Sequence, residues 1–136
     1  MIGALAASLL IAQAPETAPD PVAVALIACA PPTYEAALTC LDAHLPDTAK
    51  KQLAAKDGTV MAHFGLGMFL RNNWGLWGGG SLAQFMREKG VRHPDDMSGY
   101  ILNGYAARLR GAPRSLDQLL ASRRSAAAKP EESHAH

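Results

Sequence analysis

Charge and aromatic rings are both scarce in this chain. Of its 136 residues 18% are charged and 6% aromatic, and the formal net charge is +1. Nucleic acids and anionic membranes are normally held by a basic stripe, whereas here the basic residues are scattered and the densest pair, Arg123-Arg124, lies near the end. Nucleic-acid binding is therefore not expected. Long apolar runs are missing too. Residues 2–12 are apolar and uncharged, but a bilayer span takes about 20 such residues, and no other segment reads as a span. There is no CxxC and no HExxH, and the Gly78-Gly79-Gly80 run lacks the preceding strand and the lysine of a phosphate loop. Dithiol redox, zinc and nucleotide chemistry thus lack their signatures, and no cofactor or metal is expected. No internal repeat or coiled-coil heptad is visible.

What is present suits one domain. The hydrophobic fraction is 49%, enough for a proper core at this length. Residues 2–12 followed by Ala12-Gln13-Ala14, a small-x-small cleavage pattern, and then a Pro-rich stretch have the form of a signal peptide. No Lys or Arg precedes the run, which a start codon placed too far downstream would explain. The expected organisation is a signal peptide over residues 1–14, a linker over 15–20, a helical domain over 21–122 and a disordered tail over 123–136. The expected location is periplasmic or secreted. His134 and His136 in the tail amount to a weak surface chelator at most.

The pattern inside the domain is helical. Residues 21–30 form a short apolar helix. Thr33 caps a second helix, on which Tyr34, Ala37, Leu38 and Leu41 recur at helical spacing. Pro46-Asp47 opens a third, running through Ala55. Residues 59–73 are the most apolar segment: from Val60 to Leu70 every residue but His63 is apolar or Gly. A helix apolar all round is a buried central one, and Gly65 and Gly67 within it mark close helix–helix approach. Ser81 caps a helix that Gly90 ends, residues 94–110 form the last long helix, and a weaker one follows from Ser115 to about Ser122. The fold class is all-α: a single compact domain of five or six short helices around a central apolar helix.

Cys29 and Cys40 suit one disulfide in an exported protein. Cys40 sits seven residues into its helix, so the pair can meet only if Ala30-Pro31-Pro32 folds back along it. Two small buried hydrophobes are the alternative.

One polar cluster stands out. His93-Pro94-Asp95-Asp96 reads as a helix start: Pro at the first position lacks an N–H that would be orphaned anyway, and two carboxylates meet the positive dipole end, each contributing about 0.3–1 kcal/mol. Upstream, His63, Arg71 and Asn72 are the main polar groups on or at the end of the apolar helix. A half-buried Arg needs an anion, so an Arg71–Asp95 or Arg71–Asp96 bridge is expected, with His63 meeting the other carboxylate or a backbone carbonyl. The cluster has three possible uses: a structural ion pair, a ligand or peptide site walled by Trp74, Trp77 and Tyr100, or a hydrolase-like or metal-dependent enzyme site using His63, Arg71, Asp95 and Asp96. No clear nucleophile accompanies the last, since Ser98 has only His93 as a nearby base.

The strings "HFGLGMFLRNNWGLW" and "HPDDMS" resemble a family of small bacterial domains of unknown function. Its pattern is a His-x-x-Leu/Ile-Gly helix running into Arg-Asn and Leu-Trp, followed by His-Pro-Asp-Asp-Met-Ser. The matching positions are His63, Gly67, Arg71, Asn72, Leu76, Trp77 and residues 93–98, and the resemblance covers roughly residues 59–110. It implies no reaction, cofactor or partner, but it ties the two polar halves into one signature. The expected function is that of an exported binding or interaction module for an unknown protein or small ligand, with a small enzyme as the alternative.

Overall fold

Three side chains open three helices. Asp20 accepts from the Val22 N–H and starts α1 (Pro21–Cys29). Thr33 accepts from the Ala36 N–H and starts α2 (Tyr34–His44). His93 accepts from the Asp95 N–H through Nδ1 and starts α6 (Pro94–Leu109), with Pro94 at its first position. Each satisfies one of the donors that a helix start leaves unpaired. Between them lie α3 (Asp47–Ala54), α4, and α5 (Ser81–Glu88). The α4 helix runs as Gly58–Ala62, a π turn over His63–Gly67, and Met68–Asn73. α7 (Leu116–Ala128) completes the chain. This computed structural model describes residues 18–128. The predicted signal peptide, residues 15–17 of the linker and the two tail histidines lie outside the described residues.

The fold is all-helical and forms one domain, with seven helices among the described residues where the sequence predicts five or six. α7, expected as a weaker helix from Ser115 to about Ser122, runs on to Ala128, six residues past the predicted domain end and into the expected disordered tail. Its Arg123-Arg124 and Ala126 to Ala128 are good helix formers, and that propensity carries an exposed helix onward.

The hub of the core is α6. Met97, Ser98, Ile101, Leu102, Gly104, Tyr105 and Ala106 are all buried along it, and α2, α3, α4, α5 and α7 pack around it. Tyr34 lies across its backbone at Gly104, where a Cβ would run into the Tyr34 hydroxyl. That hydroxyl donates to the Arg114 carbonyl at 2.9 Å and so ties the segment before α7 to α2.

The expectation that α4 is buried all round is corrected here. Leu70, Arg71 and Gly67 face the core, but Val60, Met61 and Phe64 are 65%, 80% and 75% exposed. The reason is packing: α4 sits on the outside of α3 and α6, and among the described residues nothing covers its other side. Gly58 allows the approach to α3, since a Cβ there would collide with the Gln52 carbonyl.

Candidate functional site

The start of α6 and the end of α4 are joined by one hydrogen-bonded knot centred on Arg71. The Arg71 side chain is 5% exposed, and its guanidinium uses all three nitrogens. Nη1 donates to Ser98 Oγ at 2.8 Å, Nη2 donates to the His63 carbonyl at 3.3 Å, and Nε pairs with Asp95 Oδ1 at 3.2 Å. Ser98 Oγ in turn donates to the Asp95 carbonyl at 3.0 Å. A guanidinium presents its donors in a rigid planar fork, and here each edge meets an acceptor. No buried side-chain nitrogen or oxygen among the described residues lacks a partner.

The local sequence explains how Arg71 fits. A Cβ at Gly67 would stand 3.1 Å from Arg71 Nη1 and 3.6 Å from Leu102 Cδ1, so glycine leaves the room in which the guanidinium lies against the helix. The π turn over His63–Gly67 widens the helix where the His63 carbonyl receives Nη2.

A second contact group lies at the surface beside it. Trp77 Nε1 donates to Asn72 Oδ1 at 3.1 Å, and the indole meets the His93 ring edge-on at 6.2 Å between centroids. Leu76, fully buried, anchors the turn that carries Trp77, and Gly75 bends it with φ of 68°. His93 Nδ1 already accepts from the Asp95 N–H, so its 3.8 Å approach to Asp95 Oδ2 adds an ion pair only when the ring is protonated.

Of the carboxylates, Asp95 is the partner of Arg71. Asp96 is exposed at the helix start and has no ion-pair partner among the described residues. His63 contributes its carbonyl to the knot, while its imidazole packs edge-on to Phe64 at 5.1 Å and lines a separate open groove. The three aromatic side chains do not form the walls of one pocket. Trp74 is buried and donates through Nε1 to the Leu26 carbonyl at 2.9 Å, which fastens α1 to α4. Tyr100 lies under the Arg123 guanidinium at 5.7 Å. Trp77 is 58% exposed.

Ser98 is fully buried and its hydroxyl both donates and accepts within the knot, which leaves it unsuited to nucleophilic attack. Cys29 and Cys40 are joined by a disulfide, with Cα atoms 6.2 Å apart.

The surface feature that sequence reasoning missed is the outer face of α4. Val60, Met61, Phe64 and Met68 are exposed along it, at helical spacing. An open groove of about 550 Å³ runs on the α3 side, with Leu53, Met61, Ala62 and Leu66 in its lining. Another of about 310 Å³ lies on the α6 side, with Val60, His63, Phe64 and Leu102. Uniform apolarity was the available signal, and it reads equally as burial or as an interface.

The chain belongs to a family described as a domain of unknown function (DUF6794), whose model matches residues 30–109. The match begins before α2 and ends with α6, so it takes in two helices, α2 and α3, beyond residues 59–110. No curated protein and no solved structure matches the chain.

Proposed function

We propose that this chain is an exported helical module that binds a partner protein through the outer face of α4, and that the Arg71 knot serves to hold that face in place on α6. The observation that carries this reading is the exposure of Val60, Met61, Phe64 and Met68 together on one helix. Soluble monomers rarely leave large apolar groups contiguous and uncovered. The ridge lies between two grooves, the relief into which another helix packs its own side chains. Two methionines give it an adaptable surface. The partner is accordingly an amphipathic helix of another protein. Export, to a periplasmic or extracellular location, is supported by the cleavage pattern at Ala12-Gln13-Ala14 and by the disulfide, which persists in oxidising compartments.

An enzyme built on His63, Arg71, Asp95 and Asp96 would need those groups to converge on one cavity. Arg71 is saturated by protein acceptors, the His63 ring lines a different groove, and Asp96 points its charge at solvent.

A photoreactive benzophenone side chain at position 64 tests the reading in the producing cell. The expected result is a discrete product heavier than the chain, absent when the probe sits at exposed Ala121 on α7. No product from position 64, or a product of twice the chain's mass, would overturn the partner reading, the latter in favour of self-association. The mass of the mature exported chain tests the cleavage site separately.

A further inference from the structure

Cys40 and His44 stand one turn apart on α2, and residues four apart share a face of a helix. Cys29, the last residue of α1, meets that face. The Cys29 and Cys40 sulfurs and a His44 ring nitrogen all lie within 4.8 Å of one another. We propose that, once the disulfide is reduced, Cys29, Cys40 and His44 bind one Cu(I) ion. This site does not depend on the α4 face, and it forms only where a dithiol reductant opens the disulfide that oxidising conditions keep closed.

The ligand chemistry selects the metal. Two thiolates and an imidazole form a soft donor set, which favours Cu(I) or Zn(II) over harder ions. Structural zinc is almost always held by four protein ligands, and the group found here has three. Cu(I) is satisfied by three. Exposure grades from buried Cys40 through half-buried Cys29 to exposed His44, so the imidazole stands at the open side, where an ion would enter. Around the sulfurs is a shallow cavity of about 270 Å³, lined by Pro31, Pro32, Ala36 and Ala43 among others. Such an apolar rim limits water at a bound ion.

The scaffold does not depend on the S–S bond alone. Leu26 is 2% exposed, and its carbonyl accepts from Trp74 Nε1, so α1 stays docked on α4. Thr33 caps α2 independently. The two sulfurs therefore remain neighbours after reduction.

A dithiol reductant supplies two electrons and two protons: its own sulfurs end joined as a disulfide, and Cys29 and Cys40 become thiols. Cu(I) then displaces the two thiol protons and accepts the lone pair of neutral His44, with no change in its oxidation state.

The test begins with the full chain reduced by excess dithiol and desalted without oxygen. Cu(I) is then offered as its coloured bicinchoninate complex. The reduced chain is expected to remove one equivalent of copper, and the oxidised chain none. Cys29→Ser and Cys40→Ser should each abolish the transfer. His44→Ala, at an exposed position that leaves the fold intact, should bind at least about tenfold more weakly. No transfer to the reduced chain would overturn the proposal, as would His44→Ala binding as tightly as the parent, or zinc binding in place of Cu(I). Far-UV circular dichroism guards the interpretation: helix lost on reduction and not restored by Cu(I) would also overturn it.

Discussion

Replacing Asp95 by Asn asks the Arg71 knot what it contributes. Asn keeps the shape and one acceptor oxygen, so the change removes mainly the charge opposite Nε. Breaking a fully buried ion pair costs about 3–5 kcal/mol because the surviving charge is stranded. Arg71 is 5% exposed but the Asp95 side chain is 48% exposed, so solvent screens one end of this pair. Roughly half the buried figure, about 1.5–2.5 kcal/mol, is the reasonable expectation. A further 0.3–1 kcal/mol, approximately, comes from the lost charge at the helix start. Asp96 supplies the control. It stands one residue further on at the same helix start but is exposed and unpaired among the described residues, so Asp96→Asn should lose only the helix-start contribution. Urea unfolding of parent and both variants, with the disulfide kept oxidised, should place Asp95→Asn about 1.5–2.5 kcal/mol below Asp96→Asn. At a typical urea dependence that separates the midpoints by roughly 1 M. Equal losses within about 0.5 kcal/mol would refute the reasoning, because the Arg71–Asp95 pair would then contribute nothing beyond capping.

Other consequences are as direct. Gly104→Ala pushes a methyl into the Tyr34 hydroxyl and should cost about 3 kcal/mol or more, whereas Gly99→Ala, on the same helix with open space around its Cβ, should gain roughly 0.5–1 kcal/mol; thermal and urea unfolding would compare them. Burial, with the nearby Glu35 charge, pushes the Tyr34 phenol from its ordinary 10.0 up to about 12. Burial and the hydrogen bond to Asp42 raise Tyr105 as well. The folded state thus holds phenolic protons that the unfolded chain releases first, so stability is intact below about pH 10 and falls as pH rises from there toward 12. Unfolding measured from pH 9 to 11.5 should show that decline, and Tyr34→Phe should make it shallower. Reduction of Cys29–Cys40, separated by 11 residues, should lower stability by about 3 kcal/mol on the chain-entropy account, as read from unfolding with and without dithiol.

The helices were legible wherever their ends are written in side chains. Thr33 and Pro94 act through local geometry, so adjacent residues suffice to read them. The link between Arg71 and the start of α6 was readable because a charge on an apolar helix demands an anion. Which of two adjacent carboxylates answers it depends on the rotation of α6, and spacing along one helix cannot fix that. The roles of His63 and Ser98 were harder still. A carbonyl freed at a π turn carries no residue signature, and Ser98 is held by contacts 27 residues apart in the chain. The outward turn of Phe64 is a matter of packing: hydrophobicity reports that a side chain avoids water, not which surface does the covering. The same limit explains why Cys29, Cys40 and His44 do not read as a ligand set, since their spacing matches no metal motif and only the return of α1 against α2 brings them together.

The proposed function requires the outer face of α4 to belong to a partner and not to the chain's own core. The most direct measurement is the unfolding free energy of the full chain carrying Met61→Ser and Phe64→Ser together. Both side chains stand largely in solvent, so the predicted stability is within about 0.5 kcal/mol of the parent, with the cross-link from a probe at neighbouring position 60 abolished. A loss of about 3 kcal/mol or more, the size expected for emptying a packed core, would contradict the account and return this face to the interior of the fold.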